Sequence, residues 1–313
     1  MTRDRDLLLR RIRDGLARGD AEPALRLRRR LRLRRDAWDA LVDELAAPAR
    51  APVDDSAGGE ILPPLCACDN TGIAPGPFLD AARWVAALRP SPRWEIDQVH
   101  TTVEDLARRA AFVAEAGDLD GKDLLFVGDD DLCSLVVCAT GAPRRVVVVD
   151  IDDRILDCIR DTAAARGMPI EVVRYDLERF AEDPTSDGLA PEFDVFLTDP
   201  PYSEAGSLLF CAFGMAALRP RPGSAAYVAL PWLAREAWSD ELQLRVQRAF
   251  LDQGFFLTDV RRGFHGYDHP DGVVSSYLRA QLYVPGSSPR ALLDRWDALK
   301  LYSSRRWTME DAG

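Results

Sequence analysis

Between residues 123 and 284, short apolar runs alternate with stretches whose apolar positions recur every three or four residues. The runs Asp123–Val127, Arg145–Val149, Ile170–Arg174, Phe193–Thr198 and Ala225–Leu230 are strand-length. Most of them are apolar on successive positions. Helical spacing fills 152–166 and 207–217, and a helix is expected near 241–253, followed by strands near 255–261 and 276–284. Such alternation predicts an α/β fold: a mostly parallel, doubly wound sheet with right-handed crossovers. Upstream, 78–88 and 103–116 read as helices. The second has Thr101 or Thr102 as N-cap, with Glu104 and Asp105 placed to complement the helix dipole.

Before this region the pattern differs. Leu16, Leu25, Leu31, Trp38, Leu41 and Leu45 mark helices within about 7–47, and a Pro/Gly/Ala/Asp-rich stretch over 48–64 reads as a linker. The expected organisation is a small, mostly helical N-terminal domain over 1–95 and a Rossmann-like catalytic domain over 96–313. The Cys66-Ala-Cys68-Asp-Asn-Thr-Gly72 segment reads as a tight turn. Two cysteines with no second pair, and His only at 100, 265 and 269, fall short of a tetrahedral zinc site, so no metal is expected.

Charge sharpens the picture. The net charge is −11, yet residues 1–50 hold 14 Arg against nine acidic residues, so the acidity lies in the catalytic part. That favours a cationic partner over a phosphate backbone; the Arg26–Arg35 run reads as a solvated helix face, and no nucleic acid is expected. No apolar run approaches the roughly 18 residues of a membrane helix, and Met1-Thr2-Arg3-Asp4 begins no signal peptide. A cytoplasmic protein without membrane attachment is expected.

Ligands of doubly wound sheets bind beyond the carboxyl ends of the strands, so candidate chemistry is sought there. The first strand ends in Gly128-Asp129-Asp130-Asp131. A nucleotide loop at this place is usually glycine-rich; three adjacent acids instead call for a cation. They would repel the carboxylate of S-adenosylmethionine and welcome a donor that bears an ammonium without it, decarboxylated S-adenosylmethionine. A turn with one capping Asp is the plainer alternative. The second strand ends in Asp150-Ile151-Asp152. Asp150 stands where a ribose-binding acid is expected, and Asp152 where a helix cap is. Asp176, after the third strand, is a candidate acceptor for the adenine amine. The fourth strand ends in Asp199-Pro200-Pro201-Tyr202. The prolines rigidify the turn and remove backbone donors, leaving carbonyls and the Asp carboxylate to accept from a substrate amine. The Tyr ring can pack on a cation. Motifs of this kind occur in amino-group methyltransferases, and a late strand pair joined by a His- and Gly-containing loop is the usual end of a class I methyltransferase sheet.

Four pieces in order resemble the branched-chain polyamine synthases, or N4-bis(aminopropyl)spermidine synthases: Cys66-Ala-Cys68-Asp-Asn-Thr-Gly72-Ile73, Asp97-Gln98, Gly128-Asp-Asp-Asp131 and Asp199-Pro-Pro-Tyr202. The resemblance covers roughly 60–285. It implies an N-terminal winged-helix-like domain, a class I methyltransferase-like catalytic domain and a homodimer. It also implies aminopropyl transfer from decarboxylated S-adenosylmethionine to the secondary amine of spermidine, releasing methylthioadenosine, with a carboxylate among Asp129, Asp130 and Asp131 acting at the reacting amine. Two stretches depart from the family pattern: the Arg-rich N-terminus, and Ser203-Glu204 where Thr is expected after Tyr202. Polyamine nitrogens, with pKa values near 10.4, arrive protonated, so the site must remove one proton and hold the remaining ammonium groups. Asp130 or Asp131 is the expected base, assisted by Asp199, and the Tyr202 ring is expected to pack on the amine or the sulfonium. Gly128, Asp150, Ile151, Asp176 and Pro200 are expected around the nucleoside. The rivals are an N-methyltransferase or aminocarboxypropyltransferase using S-adenosylmethionine, and a DNA-binding nucleoside sensor.

Overall fold

The five apolar runs do form adjacent strands, because Val, Leu and Phe on consecutive positions can be buried only where helices cover both faces of a sheet. In the computed structural model, residues 76–183, 189–233, 237–268, 273–286, 288–294 and 301–302 are described. The readings of the N-terminal helices, the Arg-rich run, the linker and the Cys66/Cys68 turn lie outside the described residues. The helices are α1 (Gly76–Ala86), α2 (Val103–Glu115), α3 (Cys133–Thr140), α4 (Asp153–Arg166), α5 (Leu177–Glu182), α6 (Glu204–Ala217) and α7 (Ala237–Asp252). The strands are β1 (Asp123–Val127), β2 (Arg145–Asp150), β3 (Ile170–Arg174), β4 (Val195–Thr198), β5 (Ala225–Pro231), β6 (Phe255–Gly266) and β7 (Val274–Leu282).

The sheet runs β3-β2-β1-β4-β5-β7-β6. The first five strands are parallel, and β7 lies antiparallel between β5 and β6. Alternation along each strand divides the core. Leu124, Phe126, Val146 and Val148 pack with α1, α2, α3 and α4 on one face. Leu125, Val127, Val147 and Val149 pack with α5, α6 and α7 on the other.

The chain steps outward from β1 to β3, then returns to place β4 beside β1. That reversal opens a crevice at the carboxyl ends of β1 and β4, where doubly wound sheets bind their ligands. Caps hold its walls. Thr102 accepts from the Asp105 amide at the start of α2, Asp152 from Arg154 at α4, Asp176 from Glu178 at α5 and Ser203 from Gly206 at α6. Each such cap is worth about 1 kcal/mol.

Ala82 and Val85 of α1 are buried in the same core as Leu106 of α2 and Leu135 of α3. Two sequence readings shift. The α6 helix starts at Glu204 rather than 207, because Ser203 caps it. The α3 helix went unread, since its continuous apolar run has no helical period to detect.

Candidate active site

The loop after β1 sets the geometry. Gly128 has φ 73°, and a Cβ there would stand 3.3 Å from the Phe210 ring, so glycine alone fits without strain. Leu132 at the far end has φ 55°, unusual for a bulky residue. Its side chain is buried and its amide donates to the Asp129 carbonyl at 2.9 Å, which holds the reversal in place.

This turn aims the three aspartates differently. Asp129 points back into the fold and caps α3, its carboxylate accepting from the amides of Cys133 at 2.7 Å and Ser134 at 3.0 Å. Asp131 is buried under cations and donors: Thr101 through its amide and hydroxyl, both at 2.9 Å, Arg109 at 2.9 Å and Arg89 at 3.1 Å. Asp130, between them, lines the crevice. The plainer reading of this loop, one capping Asp, therefore holds for Asp129.

Asp150 ties the loops of β1 and β2 together. It accepts from the Asp129 amide at 3.1 Å and the Asp152 amide at 2.8 Å. Its neighbours on the crevice wall include Ile151, Tyr175 and Asp176. Asp199, at the end of β4, is gripped by Arg109 at 3.1 Å, by the Tyr267 hydroxyl at 2.8 Å and by the Tyr202 hydroxyl at 3.3 Å. Tyr202 also meets Tyr267 and Ser275, and Tyr267 meets His265 Nε2 at 3.0 Å. Arg109 thus bridges Asp131 and Asp199 with one guanidinium nitrogen.

Electrostatics separate the groups further. Burial, then the carboxylates of Asp131, Asp199 and Asp150, push Asp130 well above the usual carboxylate range. Burial also raises Asp199; Arg109 and the two tyrosine hydroxyls oppose it, while Asp131 adds to it. Tyr202 and Tyr267 are pushed well up by burial and by Asp199, so both remain neutral donors. His265 is driven well down by burial and by Arg109 and Arg108, and its imidazole is neutral.

The crevice has two lobes. The first runs past Gly128, Asp150, Ile151, Tyr175 and Asp176 to Pro201 and Phe210. The second is bounded by Trp94, Val99, Pro200, Tyr202, Tyr267 and Val273. Asp97, Asp130 and Asp199 line both lobes and mark their junction. Pro200 lines the second lobe and its neighbour Pro201 the first. Among the described residues, no group of three or more His, Cys, Asp and Glu side chains is arranged to hold a metal ion. No helix among them is long and apolar enough to cross a membrane.

Sequence reasoning missed Arg89, Arg109, Tyr267 and Trp94. Arg109 had a signal: it sits in the apolar stripe of α2, between Leu106 and Val113, where an arginine without a buried partner would be costly. Tyr267 had none, being one loop residue among several.

Sheet order, crevice and strand-end carboxylates define a class I methyltransferase-like fold. A Pyrococcus horikoshii protein described as a candidate RNA methyltransferase shares that fold, with TM-score 0.52 at 14% identity over 66% of this chain and 98% of that one. Within this class the chain belongs to the family of the branched-chain polyamine synthase A C-terminal domain, which matches residues 78–303. The N(4)-bis(aminopropyl)spermidine synthase of Thermus thermophilus is 34% identical over 209 residues, covering 65% of this chain and 58% of that protein. The enzyme of the same name from Thermococcus kodakarensis is 35% identical over 192 residues, covering 61% and 52%. The chain therefore spans just over half the length of these curated relatives. The crystal structure of the Thermus thermophilus branched-chain polyamine synthase, in complex with N4-aminopropylspermidine and 5'-methylthioadenosine, matches with TM-score 0.65 at 29% identity, covering 82% of this chain and 77% of that one.

Proposed function

We propose that this protein transfers the aminopropyl group of decarboxylated S-adenosylmethionine to an amine of a polyamine such as spermidine, releasing methylthioadenosine. The observation that carries the reading is the junction: a lobe lined by Gly128, Asp150, Ile151 and Asp176 and an aromatic, acid-lined lobe meet at Asp97, Asp130 and Asp199. The Thermus thermophilus relative, solved with an aminopropylated polyamine and methylthioadenosine, supports the same pairing of ligands.

In the proposed reaction the acceptor nitrogen attacks the methylene carbon bound to the sulfonium. The new C–N bond forms as the C–S bond breaks, its electron pair returning to sulfur to leave a neutral thioether. Asp130 takes the proton lost by the nitrogen. Its neighbours on the loop are engaged elsewhere, Asp129 in a helix cap and Asp131 in ion pairs, which supports Asp130 over both. Its crowded setting suits a group that must accept a proton, and arriving sulfonium and ammonium charges would favour its ionised form. Asp199 and Tyr202 orient the amine. Asp150 and Asp176 each keep acceptor capacity beyond the backbone amides they bind and would hold the ribose and the adenine amine, with Gly128 and Ile151 closing around them. Placing nitrogen and carbon in line supplies much of the rate. We further expect a cytoplasmic homodimer with an N-terminal domain preceding this unit; sedimentation of the intact chain tests the dimer.

Calorimetric titration with decarboxylated S-adenosylmethionine beside S-adenosylmethionine is the direct test. The carboxylate of the latter would face the acids at the junction, so the decarboxylated donor should bind about tenfold tighter or better. Tighter binding of S-adenosylmethionine would overturn aminopropyl transfer in favour of methyl or aminocarboxypropyl transfer.

A further inference from the structure

The second lobe has a wall that the reaction above leaves without a task. Trp94–Ile96 form a single 3-10 turn, closed by the Asp97 amide donating to the Trp94 carbonyl at 3.0 Å. Asp97 has φ 57°, the left-handed region, which a non-glycine residue adopts at a cost unless its surroundings hold it there. The next residue supplies the hold. Gln98 is buried; its side-chain Oε1 accepts from the Arg93 amide at 2.9 Å, and its side-chain NH2 donates to Asp152 at 3.2 Å. The turn is thus pinned to the cap of α4, and its two polar and aromatic side chains are presented to the crevice. Trp94 lines the second lobe while 63% exposed, an unusual setting for the largest apolar side chain. Asp97 lines both lobes.

Tyr202 and Tyr267 line the same lobe, with Val99 and Val273. Aromatic faces, aliphatic walls and separated carboxylates match a chain in which ammonium groups alternate with methylene segments.

We infer that the Trp94–Asp97 turn is the acceptor-specificity element. The Trp94 indole covers a methylene segment and its neighbouring ammonium, and Asp97 pairs with an ammonium of the acceptor other than the nitrogen that reacts. The inference rests on the aminopropyl-transfer reading for the identity of the acceptor, but it concerns binding and can be measured without turnover. A triamine engages the turn through an extra ammonium; a diamine too short to reach it does not, so the turn selects for longer acceptors.

The test is calorimetric titration of spermidine and of putrescine into the methylthioadenosine-loaded protein and its variants Trp94→Ala, Trp94→Phe and Asp97→Asn. Asn tolerates the left-handed conformation, so the last variant removes charge without disturbing the turn. Spermidine should weaken about tenfold in Trp94→Ala and in Asp97→Asn and recover most of that in Trp94→Phe, with putrescine changed less. Methylthioadenosine affinity of the Trp94 variants should match wild type, since the first lobe does not include Trp94. Equal spermidine affinity in all four proteins would overturn the inference and leave the transfer reading standing. Failure of spermidine to bind the wild type would overturn both. Turn-dependent spermidine binding without product formation from decarboxylated S-adenosylmethionine would overturn the transfer reading alone.

Discussion

The two ends of the central sheet carry the same kind of residue in opposite electrostatic settings. At the amino ends of β1 and β4, Asp123 and Asp194 sit side by side beneath arginines. Asp123 accepts from Arg144 and Arg219, and Asp194 from Arg219 at 2.7 Å and Arg221 at 2.6 Å. Asp123 is held down to about 2, chiefly by its hydrogen bond to Arg144, and the Asp123 amide together with Arg219 and Arg221 holds Asp194 below the usual range despite burial. At the carboxyl ends of the same two strands, Asp199 shares Arg109 with Asp131, and Asp130 and Asp199 are raised instead. Matched cations turn an acid pair into a clamp for the sheet. A surplus of acids over cations leaves carboxylates that gain by meeting a cationic ligand, so the crowded end is the one suited to chemistry.

Breaking the crowded end should give the largest effects. Asp130→Asn is expected to lower kcat about 100- to 10,000-fold with donor affinity within a few-fold of wild type, read by steady-state kinetics beside calorimetry. Near-normal kcat would show that the proton leaves by another route. Arg109→Met removes the cation shared by two buried carboxylates and should cost about 3–5 kcal/mol of stability in urea unfolding. A loss below about 1 kcal/mol would mean that Asp131 and Asp199 relax by protonation at little cost.

The clamped end should respond in stability rather than catalysis. Because the folded pKa of Asp123 lies below its unfolded value, its contribution is present above about pH 4 and is lost as the pH falls toward 2. Asp123→Asn should therefore flatten the acid limb of a stability profile by on the order of 2 kcal/mol while kcat stays within about twofold at pH 7. An unchanged acid limb would break the contrast between the two ends. The smallest effect is expected for Arg221→Ala. Its side chain is 62% exposed and it is one of three arginines on the pair, so a loss under about 1 kcal/mol in urea unfolding is anticipated.

Local pattern made the catalytic unit legible in the sequence. Strand runs, helical spacing and the Asp-Pro-Pro-Tyr turn are properties of consecutive residues, and burial on both faces follows from runs without alternation. The Gly-Asp-Asp-Asp segment likewise set the negative charge at the end of β1 by its composition alone. What the chain order could not state was which aspartate is available. That depends on Thr101, Arg89 and Arg109 arriving from before the sheet to occupy Asp131, and on α3 starting where Asp129 can cap it. The same holds for Tyr267, brought to Asp199 by the pairing of β6 with β7, and for Trp94, carried to the crevice by a turn pinned through Gln98. Sequence determined the elements and the sign of the charge at the strand ends, because both are set by neighbours along the chain. Tertiary structure alone decided the division of labour among identical carboxylates, because each proton affinity is set by charges and donors that only folding brings within a few ångströms.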